Sequence, residues 1–165
     1  MLTRKTKEWQ GIAWGFIGIF VLFIPIARAQ TPFDFTLCAT GTNTMVFESK
    51  ELTVLGRQGM GIIFSNHENR IFNDMTWLFV GIDKIADGKP TALLYSKFVD
   101  PDGDIIVGEF AITEAERTLK FLHGSGKWKG IKGEGKGKRT AGGKPAAPGT
   151  YQTCVRYTGT LELPK

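Results

Sequence analysis

The stretch TYQTCVRYTGTLEL, residues Thr150–Leu163, is the clearest guide to the fold in this sequence. The alternate residues from Tyr151 onward are largely apolar, whereas the residues between them are polar or charged and include Cys154. This period of two is typical of an antiparallel strand that buries one face and exposes the other. The segment 33–40 has the same alternation, and Cys38 again lies on the polar side.

Further segments rich in Phe, Ile, Val, Thr and Tyr lie between these two, and Gly, Pro, Asn or Asp separate them. Helical periodicity is nearly absent after residue 30, so this spacing predicts about eight strands. The predicted strands are Phe33–Phe47, Leu52–Ser65, Thr76–Ile85, Thr91–Val99, Ile105–Ile112, Thr118–His123, Ile131–Arg139 and Thr150–Leu163. An all-β chain of this kind forms a barrel or a sandwich.

The first 29 residues predict a cleaved signal peptide. Basic residues at positions 4–7 precede an uncharged run, Gly11–Ile26, and the sequence Ala-Arg-Ala follows at positions 27–29. A helix of that length spans about 24 Å, less than the ~30 Å hydrocarbon layer of a bilayer. We therefore expect cleavage before Gln30, the alternative being an uncleaved N-terminal anchor. Residues 30–165 would then form one periplasmic or secreted domain without a membrane anchor.

The composition indicates a folded domain. The chain has 165 residues, 42% of them hydrophobic, and two cysteines. This excludes a disordered chain and a cysteine-rich zinc module. Residues 1–29 contain four of the 21 basic and one of the 16 acidic residues, which leaves 17 and 15 in the remainder. Because that balance is nearly neutral and the protein is expected to be exported, no nucleic-acid partner is predicted.

The most unusual segment is Gly124–Lys144, GSGKWKGIKGEGKGKRTAGGK, which has seven basic residues and one acidic residue. Between positions 131 and 138, charged residues alternate with one isoleucine and three glycines. We predict a strand with a charged outer face and an inner face almost without side chains. In a barrel, such a strand either leaves space for a ligand or lets aromatic rings from facing strands fill the centre.

The boundaries of this strand are less well defined by the pattern. Lys127 and Lys129 are at odd-numbered positions, whereas the lysines from Lys132 to Lys138 are at even-numbered ones. The two sets would face opposite sides of one regular strand, which predicts a bulge or a turn near Gly130. An alternative is that Gly135–Gly149 is a mobile loop, and we expect at least Gly142–Gly149 to be a loop. The spacing of glycine and lysine is also that of a phosphate-binding loop, but Gly137 stands where that motif requires Ser or Thr. A nucleotide site is therefore not predicted.

The segment Asp100–Asp104, DPDGD, predicts a hairpin turn. Its aspartates have the spacing of a calcium-binding loop. However, Ile105 stands where such a loop needs glycine, and Ala111 where it needs a bidentate glutamate. Gly103 can instead supply the positive φ that a tight turn needs.

Three of these segments together resemble a known family. The hairpin Asp102-Gly103-Asp104, the glycine run Gly124–Gly137 and the final strand Thr150–Leu163 are similar to those of bacterial allene oxide cyclase-like barrel proteins, which are related to dirigent proteins. The resemblance covers roughly residues 76–163 and implies a closed eight-stranded antiparallel barrel. Characterised members isomerise, cyclise or orient hydrophobic small molecules inside the barrel, but no catalytic residue of the family can be assigned to a position here.

The resemblance implies that a hydrophobic or aromatic small molecule binds in the interior. Aromatic residues of the predicted strands are candidates for lining that site, although each is more often ordinary barrel core. We expect the site to lie beside the strand Ile131–Arg139. The candidate ligand-binding residues are Trp77, Phe79, Tyr95, Phe110, Trp128, Gly133 and Gly135.

An acid or base in the interior would favour an isomerase or a cyclase. Glu48, Glu109 and His123 are candidates because they lie in or beside apolar strands, but such residues more often face the surface. No catalytic residue is assigned. The two histidines, His67 and His123, lack metal-ligand spacing, so neither a metal ion nor a cofactor is predicted.

The alternative function is a non-catalytic exported module that docks on an anionic partner through the Lys-rich strand. A lipid headgroup, a polysaccharide or an acidic protein would fit that description. Most charge runs of this kind are simply the solvated face of a strand. The sequence does not predict the oligomeric state.

Cys38 and Cys154 are predicted to form a disulfide. Export places both thiols in an oxidising compartment. They lie on the first and last strands, which a closed up-and-down barrel sets side by side, and both are on the polar side. The alternative is two unpaired cysteines on adjacent strands.

Overall fold

The computed structural model describes residues 30–163, so the predicted signal peptide, residues 1–29, lies outside the described residues. The strands are β1 (Gln30–Glu48), β2 (Leu52–Ser65), β3 (Thr76–Ala86), β4 (Lys89–Val99), β5 (Ile105–Ile112), β6 (Arg117–Gly124), β7 (Lys132–Gly143) and β8 (Thr150–Glu162). They pair in chain order, and β1 also pairs with β8, so the predicted closed eight-stranded antiparallel barrel is confirmed. Within residues 30–163, no helix is long and apolar enough to cross a membrane.

Alternation decides which side chains fill this barrel. Along β1 the side chains of Phe33, Phe35, Leu37 and Ala39 are buried, and the residues between them are partly or fully exposed. Strand β8 repeats the pattern with Val155, Tyr157 and Leu161. The faces predicted for the first and last strands are therefore the observed ones.

The two ends of the barrel are built differently. Short hairpins connect the strands at one end, and one of them is the Asp87-Gly88 turn between β3 and β4, where both residues have positive φ. The opposite end, which we call the plugged end, has the longer connections 66–75 and 125–131. Phe72 from the first connection and Trp128 from the second stack at 5.8 Å between ring centroids, and both are buried. These rings close that end of the barrel.

The DPDGD segment forms the predicted turn between β4 and β5 at the plugged end. Gly103 has a φ of 89°, and the Asp100 carboxylate accepts hydrogen bonds from the backbone N–H groups of Asp102 and Asp104, both at 2.9 Å. Asp100 also accepts a hydrogen bond from Trp128 Nε1 at 2.8 Å. The aspartates therefore fix a turn and hold the plug.

The Lys-rich strand β7 is longer than predicted. The chain turns at Gly130, which has a φ of 82°, and a 3₁₀ helix over Gly126–Trp128 lies just before it, so the predicted change near Gly130 is a turn. Beyond Arg139 the strand continues through a register shift, and Gly142 and Gly143 pair with β8. The prediction that these two glycines belong to a loop is wrong, because β8 extends far enough to supply their hydrogen-bond partners. The loop comprises residues 144–149.

A disulfide joins Cys38 to Cys154, as predicted. The two residues are direct partners in the β1–β8 register, and both lie on the outer face. The bond therefore links the first and last strands at the point where the barrel closes.

Candidate functional site

Aromatic rings fill most of the barrel. Near the plugged end, Phe33, Phe35 and Phe72 contact one another with centroids 5.2–5.5 Å apart. Further along the axis, Trp77 stacks on Phe79 at 4.2 Å, and both rings are buried. Such contacts stabilise a core beyond the apolar area that they bury. The interior is therefore a packed aromatic column for most of its length.

Polar side chains replace the rings at the other end, which we call the arginine end. Arg57, Asp83, Arg117 and Tyr151 share the inward parity of β2, β3, β6 and β8, respectively. Three of the four connections at this end are short, and no residue of the fourth, 144–149, lines the cavity beside these side chains, whereas Phe72 and Trp128 cover the plugged end.

Two glycines make room for rings at the arginine end. A Cβ atom on Gly59 would lie 2.6 Å from Cζ of Phe79, and one on Gly41 would lie 2.5 Å from the hydroxyl of Tyr151. Real Cβ atoms do not approach that closely. The glycines in β1 and β2 therefore allow Phe79 and Tyr151 to lie across the barrel interior.

One ion pair organises the charges at this end. Arg57 Nη2 lies 2.7 Å from Asp83 Oδ2, and the Arg57 guanidinium also lies over the ring of Tyr151, 4.8 Å from its centroid. Arg117 makes no salt bridge within residues 30–163. Two arginines and one aspartate thus give the arginine end one positive charge in excess.

Burial changes the proton affinity of the acidic groups here. It raises the pKa of the Asp83 carboxyl above its ordinary value, although Arg57 and Arg117 oppose the shift. Burial also raises the pKa of Tyr151 to about 12. Burial disfavours the charged form of each group. Tyr151 therefore keeps its proton and is a hydrogen-bond donor at neutral pH.

Among residues 30–163, four buried side-chain polar atoms have no hydrogen-bond partner within that part of the chain. They are Trp77 Nε1, Asp83 Oδ1, Ser96 Oγ and Tyr151 OH. Buried polar atoms are nearly always hydrogen-bonded, because leaving one unpaired costs about 1–3 kcal/mol. Trp77 and Tyr151 line one small cavity, and Asp83 contacts Arg57, which lines it too, so three of the four residues surround a place where polar groups are available to a ligand.

The space between these residues is small. A cavity of about 30 Å³ is lined by Arg57, Trp77, Phe79, Arg117 and Tyr151, among others. That is room for about one water molecule, whereas ligand pockets usually measure roughly 300–1,000 Å³. A ligand of ordinary size would enter only if side chains that line this cavity moved.

Known structures identify the architecture. No protein-family model matches the chain, and no curated protein matches it. The solved structure of the pterocarpan synthase dirigent protein PsPTS1 matches with a TM-score of 0.51 and 14% identity, covering 83% of this chain and 97% of that one. This chain has the dirigent fold. The pterocarpan synthase dirigent protein GePTS1 matches with a TM-score of 0.50 and 11% identity, covering 82% and 87% of the two chains.

The dirigent fold agrees with the superfamily that the sequence motifs resemble. At 11–14% identity the likeness concerns the fold alone. The name pterocarpan synthase therefore describes the two matched proteins, and the chemistry of this chain has to be argued from its own side chains.

Within the dirigent fold, three predicted ligand-binding residues come together. Trp77, Phe79 and Phe110 are buried side by side and line the small cavity. Trp128 lies at the plugged end, away from this cavity. Tyr95 is on the outer face of β4 and 46% exposed, so the prediction that it lines the interior is wrong. The inward positions on both sides of it are Leu94 and Ser96.

The glycines of β7 do face inward, but atoms of other strands occupy the space beside them, and at Gly135 these belong to a ring. A Cβ atom on Gly135 would lie 2.7 Å from Cζ of Phe33, and one on Gly133 would lie 2.9 Å from Cβ of Leu161. Of the two predicted outcomes, aromatic filling is therefore the observed one. The prediction of ligand space beside this strand is wrong, because side chains from β1 and β8 reach across it.

None of the three candidate acids and bases faces the interior. Glu48 and His123 are exposed, and Glu109 lies on the outer face of β5. There a hydrogen bond to Glu109 raises the pKa of Tyr95. Within residues 30–163, no group of three His, Cys, Asp or Glu side chains is placed to hold a metal ion.

The polar residues of the arginine end were missed in the sequence. The available signal was the alternation of faces along each strand. Arg57 lies on the same face of β2 as Leu55 and Gly59, and Asp83 lies on the same face of β3 as Phe79. A charged residue at an inward position of a strand is a candidate functional residue, because burying it without a partner is costly. That signal is incomplete, because Met60, Ile62, Leu78 and Val80 make the opposite faces of β2 and β3 apolar as well, so alternation does not decide which face is inward.

The charged outer face of β7 is as predicted, with Lys132, Lys136 and Lys138 exposed. Part of its charge is neutralised, since Lys136 Nζ lies 2.6 Å from Glu116 Oε1 and Glu134 lies between the lysines. Docking of an anionic partner on this face stays a prediction.

Proposed function

We propose that the protein is an exported barrel that binds a hydrophobic or aromatic small molecule at the arginine end of its interior. The observation that carries this proposal is the set of partnerless buried atoms, Trp77 Nε1, Asp83 Oδ1 and Tyr151 OH, beside stacked aromatic rings at an uncovered end of the barrel. Ligand sites combine an apolar lining with a few polar groups in just this way.

The residues around the cavity define the chemical class of ligand that would fit there. Trp77, Phe79 and Phe110 provide faces and edges of rings for a flat or apolar body. The Tyr151 hydroxyl is available to donate a hydrogen bond, and Arg117 adds a positive charge that makes no salt bridge within residues 30–163. The ligand class is therefore an apolar or aromatic body with one acceptor group, neutral or anionic.

Entry requires Arg57 to leave its place over Tyr151. The Arg57–Asp83 ion pair is partly exposed, with 23% and 14% of the two side chains accessible. Because both side chains are largely buried, moving the guanidinium outward deprives the Asp83 carboxylate of its partner, so a polar group of the ligand has to replace that contact. Its movement would join the small cavity to solvent.

A catalytic version of this proposal is an isomerisation or cyclisation of the bound molecule. The observation that favours it is Asp83, whose Oδ1 is buried without a partner and whose raised pKa suits proton transfer. In this version Asp83 accepts a proton from the ligand, Tyr151 stabilises negative charge that develops on the ligand oxygen, and the proton returns to another ligand atom.

Export forms part of the same proposal. The Cys38–Cys154 disulfide fits an oxidising compartment, periplasmic or extracellular. N-terminal sequencing of the exported protein should give Gln30 as the first residue. Intact Met1 on a membrane-bound form would contradict the predicted processing.

Native mass spectrometry of the protein purified from its own cells tests the binding proposal. We expect a co-purified small molecule, and we expect several-fold lower occupancy in Tyr151→Phe and Arg117→Gln. Tyr95→Phe is the matched control, because it removes a hydroxyl from the outer face, and its occupancy should equal that of the wild type. Equal occupancy in all three variants would contradict the assignment of the site.

A further inference from the structure

Nearly every polar side chain around the small cavity at the arginine end is a hydrogen-bond donor. These side chains are Arg57, Trp77, Arg117, Tyr151, Thr153 and Tyr157. Guanidinium and indole groups can only donate, and burial raises the pKa of both tyrosines, so their hydroxyls keep their protons at neutral pH. No aspartate or glutamate of residues 30–163 lines the cavity. A group that enters it therefore has to accept hydrogen bonds.

Two of these donors lack an acceptor within residues 30–163. The indole Nε1 of Trp77 and the hydroxyl of Tyr151 are buried without a hydrogen-bond partner, and Trp77 as a whole is only 5% exposed. Each unpaired donor costs the fold about 1–3 kcal/mol. An acceptor group placed in the cavity that both residues line would remove that cost.

The charge at this end also favours an anion. Arg57 is paired with Asp83, whereas Arg117 forms no salt bridge within residues 30–163. Arg139 on β7 pairs with Val155, an inward residue of β8, and it is exposed, so it adds a positive charge at the mouth of the barrel. Three arginines and one aspartate therefore hold inward positions at the arginine end, which leaves two positive charges in excess.

Size decides which part of a ligand occupies the cavity. Its volume of about 30 Å³ is that of one water molecule, so only a small terminal group fits there without rearrangement. The inward positions nearer the mouth are apolar, since Leu55 lies beyond Arg57 on β2 and Ile85 lies beyond Asp83 on β3. The order from the cavity to solvent suits a ligand whose polar group enters first and whose apolar body follows.

We propose that the ligand is an aromatic carboxylic acid, bound as its carboxylate, and that this group occupies the small cavity against Arg117, Trp77 and Tyr151. The inference rests on the proposed function and narrows it, because it fixes the acceptor group and the direction of entry. A carboxylate has two acceptor oxygens, and its hydrogen bonds with a guanidinium are charge-assisted and stronger than those of a neutral group. Asp83 lies one inward position nearer the mouth than Arg57, where a hydroxyl or N–H on the ligand's ring would replace the Arg57 contact.

Titrations of the ¹⁵N-labelled processed protein, produced from its full-length sequence, test the proposal. The probes are 4-hydroxyphenylacetate and indole-3-acetate, each compared with its primary alcohol and its primary amide at neutral pH. Each acid should bind at least about 10-fold more tightly than its alcohol and its amide. The indole N–H resonance of Trp77 should shift with the acids, because this group gains an acceptor. The resonance of Trp128, which already donates to Asp100, should not shift.

Variants of one arginine identify the partner of the carboxylate. Arg117→Gln should weaken binding of the acids at least about 10-fold and change binding of the alcohols less than about twofold, and Arg117→Lys should recover part of the loss because it keeps the charge. Lys138→Gln is the matched control, because it removes the same charge from the exposed outer face of β7, and it should bind acids and alcohols as the wild type does. Circular dichroism with thiol counting establishes folding. If Arg117→Gln does not fold, Tyr151→Phe takes its place and should weaken binding of the acids several-fold.

The outcomes separate this inference from the binding proposal. Acids and alcohols that bind equally well at the arginine end, or an Arg117→Gln variant that weakens both alike, would overturn the carboxylate and leave the ligand site in place. A shift of the Trp128 indole instead of the Trp77 indole would overturn the position of the carboxylate. Tighter binding of phenyl phosphate than of either acid would overturn the inference in favour of a phosphate. No saturable shift with any probe would overturn the ligand site as well.

Discussion

At the scale of single residues, Asp100 is the clearest structural anchor in the protein. Its carboxylate is buried and accepts hydrogen bonds from Trp128 Nε1 and two backbone N–H groups, and Lys127 Nζ lies 2.8 Å from it. Burial raises the pKa of this carboxyl, but the hydrogen bonds from Lys127, Trp128 and the backbone outweigh it, so the pKa lies below its ordinary value. The charged form therefore stabilises the plugged end.

Replacing this carboxylate should destabilise the protein measurably. Asp100→Asn leaves Lys127 and Trp128 with a weaker acceptor in a buried site, and we expect the free energy of unfolding to fall by about 3 kcal/mol at neutral pH. Urea unfolding followed by tryptophan fluorescence measures this. Asp102→Asn is the matched control, because Asp102 also contacts Lys127 but its side chain is 73% exposed, and it should leave stability nearly unchanged.

The same variants give a test by pH. A carboxyl whose pKa is lowered by folding contributes stability above its unfolded pKa of about 3.9, and this contribution is lost as the pH falls through the folded pKa. The wild type should therefore lose stability below about pH 4, and Asp100→Asn should show a shallower loss. If the free energy of unfolding fell equally steeply with pH in the two proteins, the Asp100 charge would not stabilise the fold.

The side of the barrel that a residue faces could be predicted where polar and apolar residues alternate over many positions. It was missed where that alternation is short or interrupted. The parity of Cys38 and Cys154 followed from strands with many alternating residues. Tyr95 was placed inside because it is aromatic, although Leu94 and Ser96 occupy the inward positions. Phe72 could not be foreseen, since two adjacent apolar residues, Ile71 and Phe72, in the polar loop 66–74 carry no periodic signal.

At the scale of elements, β7 shows how a strand without side chains can serve a packed barrel. Its inward glycines leave room that Phe33, Tyr157 and Leu161 occupy from neighbouring strands. The sequence predicted the empty face of β7 correctly. It could not decide between ligand and rings, because that choice depends on the lengths of side chains on strands far away in the chain.

A methyl group on this face should therefore destabilise the barrel rather than fill a ligand pocket. Gly135→Ala brings Cβ within 2.7 Å of the Phe33 ring, and we expect a loss of about 1–3 kcal/mol in the free energy of unfolding. Gly56→Ala is the matched control, because the nearest atom to its new Cβ is 3.6 Å away, in ordinary contact. Urea unfolding should show it unchanged or slightly stabilised, and an equal loss in both would contradict the packing described.

The contact between β1 and β8 is the second element that decides the fold, because it closes the sheet. The two strands pair from Gln30 to Thr42, and the disulfide links them across a sequence separation of 116 residues. Both the pairing and the disulfide follow from matched alternation in the first and last strands.

Removing that disulfide should destabilise the barrel without opening it. A cross-link across such a long loop restricts the unfolded chain, and Cys38→Ser/Cys154→Ser should lower the free energy of unfolding by about 4 kcal/mol. Urea unfolding of the double variant and of the reduced wild type measures the loss. Two free thiols in the denatured, unreduced wild type, or equal midpoints with and without reductant, would contradict it.

At the scale of the whole molecule, the two ends of the barrel differ in how they are filled. The plugged end is filled and fixed by Phe72, Trp128 and Asp100, whereas the arginine end has unpaired polar atoms and no covering loop. The closed barrel could be predicted from strand count and motif resemblance. The arginine end could not, because its residues are distant in sequence and meet only when the barrel closes.

The central claim is that a small molecule binds at the arginine end, and amide chemical shifts of the ¹⁵N-labelled processed protein test it most directly. Titration with a set of small aromatic and apolar carboxylates and alcohols should shift saturably the amides around Arg57, Asp83 and Tyr151. Tyr151→Phe should weaken these shifts, and Tyr95→Phe should not. Shifts confined to outward-facing residues of β2–β4, such as Met60, Val80 and Tyr95, or no saturable shift with any compound, would contradict the claim.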